Sequence, residues 1–538
     1  MTFLQSIEIS PLLTYLNTRF GTNLQTDYYR QIELWRAWWQ GFVKSFHSFH
    51  ESDGEHLLER HLFSMRMAKK ICEDWASILL NEKTEIAVAD SASSLFLQGK
   101  KQTTGILGQN DFWEHGNELI ERAFFSGTGA FVLHLTGAQA NPDGLLYPTD
   151  SASITLDYLD ALSIFPLSVK QGKITEAVFA SIHHTRGVQE IYLEEHLFQQ
   201  GEYVIVNELF HQHDGALEPV PLPPGVIPVF HTGSPVPWFS IVKPNIANPF
   251  PQHNGLGLSI FANALDELQN VDLAFNNFVR DFKLGGKKVF YNKSMLHRTP
   301  DGQLITPDDV AQQLFLQVDA DGELDTDLKT LVQEYNPSLR VAENTQGIQA
   351  ALDYLSFKCG LGTRFYAFDG GTIQTATQYM GERQDLIQNA NKQYIGIERA
   401  LESLLRSILF MGKTLLKQPV DPETDISIKF EDSYIIDKEQ ERERDRQDVR
   451  DGLMQKWEYR VKWYGETKAQ AKLNLDTGSS GVPPAENSTA AKSNQDVSPR
   501  QPASKPSGRA QPGFRPSGVP PAGSPTAAQN KGNNQPQH

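Results

Sequence analysis

The run from Asn248 to Gly286, NPFPQHNGLGLSIFANALDELQNVDLAFNNFVRDFKLGG, does most to constrain the fold. A loop broken by Pro and Gly ends at Gly257, and a long helix follows that stops at Gly285-Gly286. Phe261, Ala264, Leu265, Leu268, Val271, Phe275, Phe278, Val279 and Phe282 recur in steps of three and four and form one apolar stripe. Asp266, Glu267, Asn270, Asn276, Asn277, Arg280 and Asp281 occupy the other faces. About 25 residues of helix would span roughly 37 Å. A helix of that length suits a strut between two parts of a large assembly; taken alone, its periodicity also fits a core helix of a large α+β protein.

The 538 residues allow several domains and a sizeable core. The formal net charge is −16. Tight binding of nucleic acid depends on Lys and Arg neutralising phosphates, so the bulk surface is unsuited to it. Two isolated cysteines, Cys72 and Cys359, support neither a disulfide framework nor a zinc site and fit a reducing cytosol. The start, MTFLQSIEIS, lacks a secretory pattern, and no run approaches eighteen apolar residues. These features predict a chain made and assembled in a cytoplasm, with no membrane segment.

Residues 1–62 read as helical and aromatic, with Tyr28, Tyr29, Ile32, Trp35, Trp38, Trp39, Phe42 and Val43 at helical spacing. His47, His50, His56 and His61 in FHSFHESDGEHLLERH match no metal-ligand spacing and read as partly buried or surface residues. Met65 to Leu80 gives a broad apolar helix face, and Glu85 to Val88 a short strand. Phe112 to Ser126 reads as an amphipathic helix before a strand at Ala130 to Leu135. From Ala152 to Phe210, the segments ITLDYL, LSIFPL, EAVFASIHH, EIYLEEHLF and EYVIVNELF predict an antiparallel sheet flanked by helices, an α+β layer. His183-His184 and the HQHD run, His211 to Asp214, read as polar surface rather than metal ligands. Gly215 to Trp238 is Pro-rich and predicts extended chain.

The acidic run Asp319 to Asp327 has Gly322 at position four and Thr330 at position twelve, so it is not an EF-hand. Residues 344–360 read as a second, weaker helix. LGTRFYAFDGGTIQTATQYMGERQDL follows, a Gly-rich loop leading to a helix opened by Thr375-Ala376-Thr377. It contains no GxxxxGK[ST], so it is not a nucleotide cradle. A long helix from about 376 to 416 leads to a strand at Ile426 to Phe430. A charged helix then runs from about Lys438 to Gly452, before a turn and a second helix. From Asp476 the composition is Pro, Gly, Ser, Gln, Asn and Ala, which predicts disorder.

Four stretches together resemble the portal proteins of tailed bacteriophages, in particular those of long-tailed phages of Gram-positive hosts. They are the 248–286 run, FSMRMAKKICEDWASILLNEKTEIAV at 63–88, the 361–386 loop and helix start, and FEDSYIIDKEQERERDRQDVRDGLMQKWEYRVKWYGETKAQAKLNL at 430–475. The resemblance covers roughly 30–470 in matching order. Gln378 stands where an acidic residue is usual after the Thr-Ala-Thr run. The implied architecture is an α+β portal-type fold: wing at 1–255, first stem helix at 256–283, clip at 284–343 and second stem helix at 344–360. A channel loop at 361–375, a long helix and return strand at 376–432, a crown at 433–475 and a disordered tail at 476–538 complete it.

The resemblance implies a homo-oligomeric ring of about twelve copies at one capsid vertex. It further implies the terminase large subunit, major capsid and scaffold proteins and head-tail connector proteins as partners, double-stranded DNA passing through without sequence preference, and location in the virion. It implies no enzymatic activity, cofactor, catalytic residue or metal site. A duplex sliding through a pore must not be held, so an acidic wall fits, with the stem residues Asp266, Glu267, Asp272 and Asp281 as candidates. Arg364, Phe365, Tyr366, Phe368, Asp369, Gly370 and Gly371 are the channel-loop candidates. The rival readings are a cytosolic scaffold protein without a channel and a metal-dependent hydrolase. The second lacks a convergent ligand set.

Overall fold

A computed structural model describes residues 9–464 apart from 53–55, 82, 101–102, 142–143, 186–187, 214, 293–299, 301–314, 319–331, 368–375 and 431–437, together with 471, 472 and 475. It divides into a unit of residues 1–453 and a second of 454–538. The acidic run at 319–327 and the tail from 476 lie outside the described residues.

The first unit opens with helices α1 (Ser10–Phe20) and α2 (Thr26–Gln40). The aromatic spacing of α2 does what periodicity predicts: Tyr28, Tyr29, Ile32, Trp35 and Trp38 are all buried. The helical reading of 1–62 then fails. Strands β1 (Ser48–Ser52) and β2 (Leu57–His61) form an antiparallel hairpin, with Phe49 opposite Arg60 and Ser52 opposite Leu57. Helix α3 (Met67–Leu79) buries Met67, Ala68, Ile71, Cys72, Trp75, Ala76 and Leu79, and β3 (Glu85–Val88) follows. Asp90 caps α4 (Ser91–Gln98) by accepting from the Ser93 N–H at 2.8 Å.

Helix α5 (Phe112–Ser126) leads into β4 (Gly129–Ala140) and β5 (Leu146–Asp160). Strands β6 (Ile164–Lys170), β7 (Lys173–Thr185), β8 (Val188–Gln199), β9 (Glu202–His213), β10 (Ala216–Val220) and β11 (Val229–His231) form one antiparallel sheet. Its order is β10-β9-β8-β7-β6, with β11 on β9. Two hairpins close on Gln-Gly: Gln171-Gly172 and Gln200-Gly201, all four with positive φ, as a two-residue primed turn requires. The predicted strands do not share one sheet. ITLDYL belongs to β5, which pairs with β4, and β4 pairs in turn with β12 (Phe239–Val242). The Pro-rich stretch is extended as expected and contributes β10 and β11.

Neighbouring residues on β8 point to opposite faces. Glu194 joins the two sheets: its carboxylate lies 3.3 Å from His134 on β4 and 2.6 Å from His196. Burial pushes Glu194 up, but the two histidines outweigh that and hold it below the usual range. Glu195, on the other face, meets Arg19 of α1 at 3.0 Å, and Arg19 also pairs with Glu208. Burial lifts Glu195 to about 7 against the pull of Arg19.

Helix α6 (Leu265–Leu284) is shorter than the 25 residues expected because Ala262–Ala264 is a 3-10 turn. Its stripe is buried only toward the body, at Leu268 and Val271, while Phe282 is exposed. Strands β13 (Lys288–Asn292), β14 (Phe315–Val318) and β15 (Val332–Tyr335) make a small mixed sheet, β13 parallel to β14 and antiparallel to β15. Helix α7 (Val341–Lys358) returns against α6. Helix α8 (Ala376–Thr414) spans 39 residues and buries Leu386, Ala390, Ile397, Leu401, Leu404, Leu405, Ile408 and Leu409. Strand β16 (Ile426–Lys429) pairs antiparallel with β3, Ile428 opposite Ile86. The charged helix α9 (Lys438–Arg450) ends this unit, and α10 (Lys456–Tyr464) belongs to the second, where Lys472 lies 5.3 Å over the Trp457 ring.

Candidate functional site

The loop that feeds α6 is held by polar groups that the sequence supplies for the purpose. Asn248 folds it through an Asx turn, its side-chain oxygen accepting from Phe250 N–H at 3.0 Å. Its amide donates to Tyr28 Oη at 2.6 Å and to the carbonyls of Leu256 and Gly257, both at 3.1 Å. Tyr28 donates to the Gly257 carbonyl at 2.5 Å, and burial pushes its hydroxyl up to about 12. Gly257 N–H donates to Thr128 at 2.8 Å. At Gly257 the chain passes so close to Gly127 that a Cβ would overlap the Gly127 carbonyl oxygen. Gly127 itself has φ +84°. The loop before α6 is therefore tied to a fixed point on the α5–β4 corner.

Four directions around α6 have different surroundings. Glu267 pairs with Lys358 at 3.5 Å, and Asp281 with Arg340 at 2.9 Å and Asn344 at 3.1 Å, so this side meets α7. The hydrogen bond from Arg340 holds Asp281 below the usual carboxylate range. Leu268 and Val271 face the core. Asp272 and Asn276 meet the segments that flank the N-terminal hairpin. Asp272 accepts from Met65 N–H at 2.7 Å and lies 3.0 Å from His47 Nε2, while Asn276 accepts from Phe63 N–H at 2.9 Å and donates back to its carbonyl at 2.7 Å. Val43 N–H donates to His47 Nδ1 at 2.8 Å, so the ring proton sits on Nε2 and points at Asp272. At about 100° per residue, the Asp272–Asn276 side lies about 180° from the Glu267–Asp281 side. The open side carries Asp266, Asn270, Leu273, Asn277, Arg280 and Leu284, spaced 4, 3, 4, 3 and 4 and all exposed.

The four acidic stem candidates are thus not equivalent. Asp272 is 3% exposed and engaged by His47 and Met65, on either side of the hairpin, so it is not on the open face. Glu267 and Asp281 are tied to α7, and Asp266 alone of the four stands exposed. Of the loop candidates, Arg364 is exposed with φ +60°. Phe365 packs against the core and meets Tyr366 edge-on at 5.0 Å. Tyr366 donates to Asp74 on α3 at 2.8 Å, and burial pushes its hydroxyl well up. Phe368, Asp369, Gly370 and Gly371 lie outside the described residues. Behind the loop, Trp75 Nε1–H donates to the Cys359 carbonyl at 3.1 Å, tying α3 to the end of α7.

Among the described residues no group of three or more His, Cys, Asp or Glu could hold a metal ion. No described helix is long and apolar enough to cross a membrane. The family model for "Phage portal protein, SPP1 Gp6-like" matches residues 26–456, from α2 through the start of α10. The chain belongs to the phage portal protein family. No curated protein matches it. The family is structural rather than catalytic, and its members assemble as oligomeric rings in the virion capsid. For a portal protein, the residues that sequence reasoning missed are His47, Asn276 and Trp75, which fix where the stem leaves the body. His47 stood in a His-rich run that drew attention to metals, and nothing local marks its distant partner Asp272.

Proposed function

We propose that this portal protein forms a closed ring of about twelve copies at one capsid vertex, through which double-stranded DNA passes. The observation that carries the reading is the family match over 26–456, joined to an antiparallel stem pair that leads out to a small mixed sheet and back. In this reading α6 and α7 are the stem and the sheet β13–β15 belongs to the clip, within 284–343. The terminase large subunit and later the head-tail connector proteins meet the clip, and major capsid and scaffold proteins surround the wing. The open side of α6 faces the duplex, with Asp266 as the channel-facing acid. Glu267 and Asp281 act there as neutralised pairs, which removes sticking points of either sign. The loop 361–375 is the channel loop of this reading, with Arg364 exposed at its base, Phe365 and Tyr366 as its anchor, and Phe368 to Gly371 as further candidates for meeting the DNA.

Native mass measurement and particle imaging of the purified chain test this. At 60.3 kDa per copy, twelve copies weigh about 724 kDa, with a central hole of roughly 20 Å or more. Monomers or compact dimers, persisting when capsid and scaffold proteins are co-expressed, would overturn it.

A further inference from the structure

Among the described residues, two places each bring together a pair of highly exposed large apolar side chains. Leu57 is 70% and Phe63 60% exposed, on and just after the hairpin β1–β2; Tyr354 is 66% and Phe357 58% exposed, both on α7. Leu453 apart, these are the four most exposed large apolar residues described within 1–453. Tyr354 and Phe357 continue an exposed stripe that starts with the small residues Gly347 and Ala350, spaced 3, 4 and 3, so another chain can approach closely along it. The hairpin is open on nearly every residue of both strands and belongs to no larger sheet. A lone two-stranded hairpin is marginal in water, and its bare edges are a liability unless something covers them.

The geometry says what the cover is. The segments that enter and leave the hairpin, at His47, Phe63 and Met65, are clamped to α6 by Asp272 and Asn276, and α7 lies on the opposite side of α6. A head-to-tail ring contact needs two different surfaces on two different sides of each copy. The hairpin and α7 supply that pair. Because Glu267 meets Lys358 and Asp281 meets Arg340, the helices run antiparallel, and Tyr354 and Phe357 stand within roughly two turns of the height of the clamp. Residues 48–61 contain four acidic residues and one arginine, whereas Arg364, six residues beyond the end of α7, and Lys358, which also pairs with Glu267, stand exposed.

We propose that the hairpin of one copy, through Leu57 and Phe63, packs on the Tyr354–Phe357 stripe of the next copy and so closes the ring. The contact deepens the ring reading given above and rests on it. In the full-length chain, a Leu57→Cys/Tyr354→Cys double variant treated with a short bismaleimide is expected to give a ladder of covalent multimers up to the whole ring. Either single variant is expected to give none, the native Cys72 and Cys359 being buried. Intact rings by native mass without a ladder overturn the contact and leave the ring reading standing. Dimers linked through Cys at 57 alone overturn it too, because they indicate a two-fold contact. If the double variant does not assemble, Leu57→Ser/Phe63→Ser in the otherwise native chain decides: ring yield at least about tenfold below the native chain supports the contact, and an unchanged yield overturns it. Failure of the native chain to form rings, even with capsid proteins present, refutes the ring reading itself.

Discussion

Asp272→Ala tests whether one carboxylate holds the hairpin to the stem. It removes the acceptor for the buried His47 ring at 3.0 Å and the part-buried Met65 N–H at 2.7 Å. A buried donor left unsatisfied costs about 1–3 kcal/mol and a half-buried one less, so the pair is worth about 2 kcal/mol or more. At about 1.4 kcal/mol per tenfold, local opening of the clamp should rise about 30-fold or more. Hydrogen exchange read by mass spectrometry reports this directly, because the amides of Leu62, Phe63 and Met65 are all bonded at the clamp. Exchange there should accelerate by that factor, while the β8–β9 ladder around Leu193 and Ile205 should keep its native rate. Asp272→Asn should fall between, since its oxygen can still accept from Met65 while its amide cannot accept from His47. Exchange at 62–65 within about threefold of the native chain in the alanine variant would refute the reasoning.

Gly257→Ala should cost about 3 kcal/mol or more, because the new Cβ meets backbone at Gly127 rather than a side chain that can swing away; a native denaturation midpoint would contradict this. Glu195 has a folded-state value of about 7 against a reference of 4.5. The folded chain therefore holds that proton more tightly than the unfolded one, and stability from this group is full below about 4.5 and is lost as pH rises through about 7. Glu195→Gln should remove that loss, so its melting temperature should gain on the native chain between about pH 5 and pH 8, and a constant difference would count against it. Trp75→Phe removes the indole donor to the Cys359 carbonyl and should destabilise by about 1–3 kcal/mol, read by urea denaturation.

Where a short window of sequence contains its own cause, the sequence was legible. The aromatic period of α2, the apolar face of α3, the Phe112–Ser126 helix and the strand segments on either side of Gln-Gly turns were all readable this way, and the structure keeps them. The hairpin at 48–61 was not, because an aromatic helix period runs into it and the histidines disguise its alternation. The stem candidates show the limit most clearly. Periodicity identifies α6 and its polar residues, but Asp272, Glu267 and Asp281 differ only in their partners, which lie 225, 91 and 59 residues away. Charge alone makes them alike, and only tertiary contact separates the buried acid from the paired ones and from Asp266.

The pairing of β3 with β16 fixes an order of events during synthesis. Val88 must wait for Ile426, its partner across the ladder, to leave the ribosome. At about 5–20 residues per second, those 338 residues take roughly 17 to 68 s. Throughout that interval the loop before α6, the helix pair α6–α7, the small sheet between them and α8 are produced while β3 still lacks its partner. The α6–α7 pair can form locally in that time, since its Asp281–Arg340 tie spans only 59 residues. A chain that stops short of residue 426 has that pair but no closing strand. Closure of the β3–β16 seam thus marks a body whose two distant ends have met, and a nascent chain lacking it carries β3 without its ladder partner.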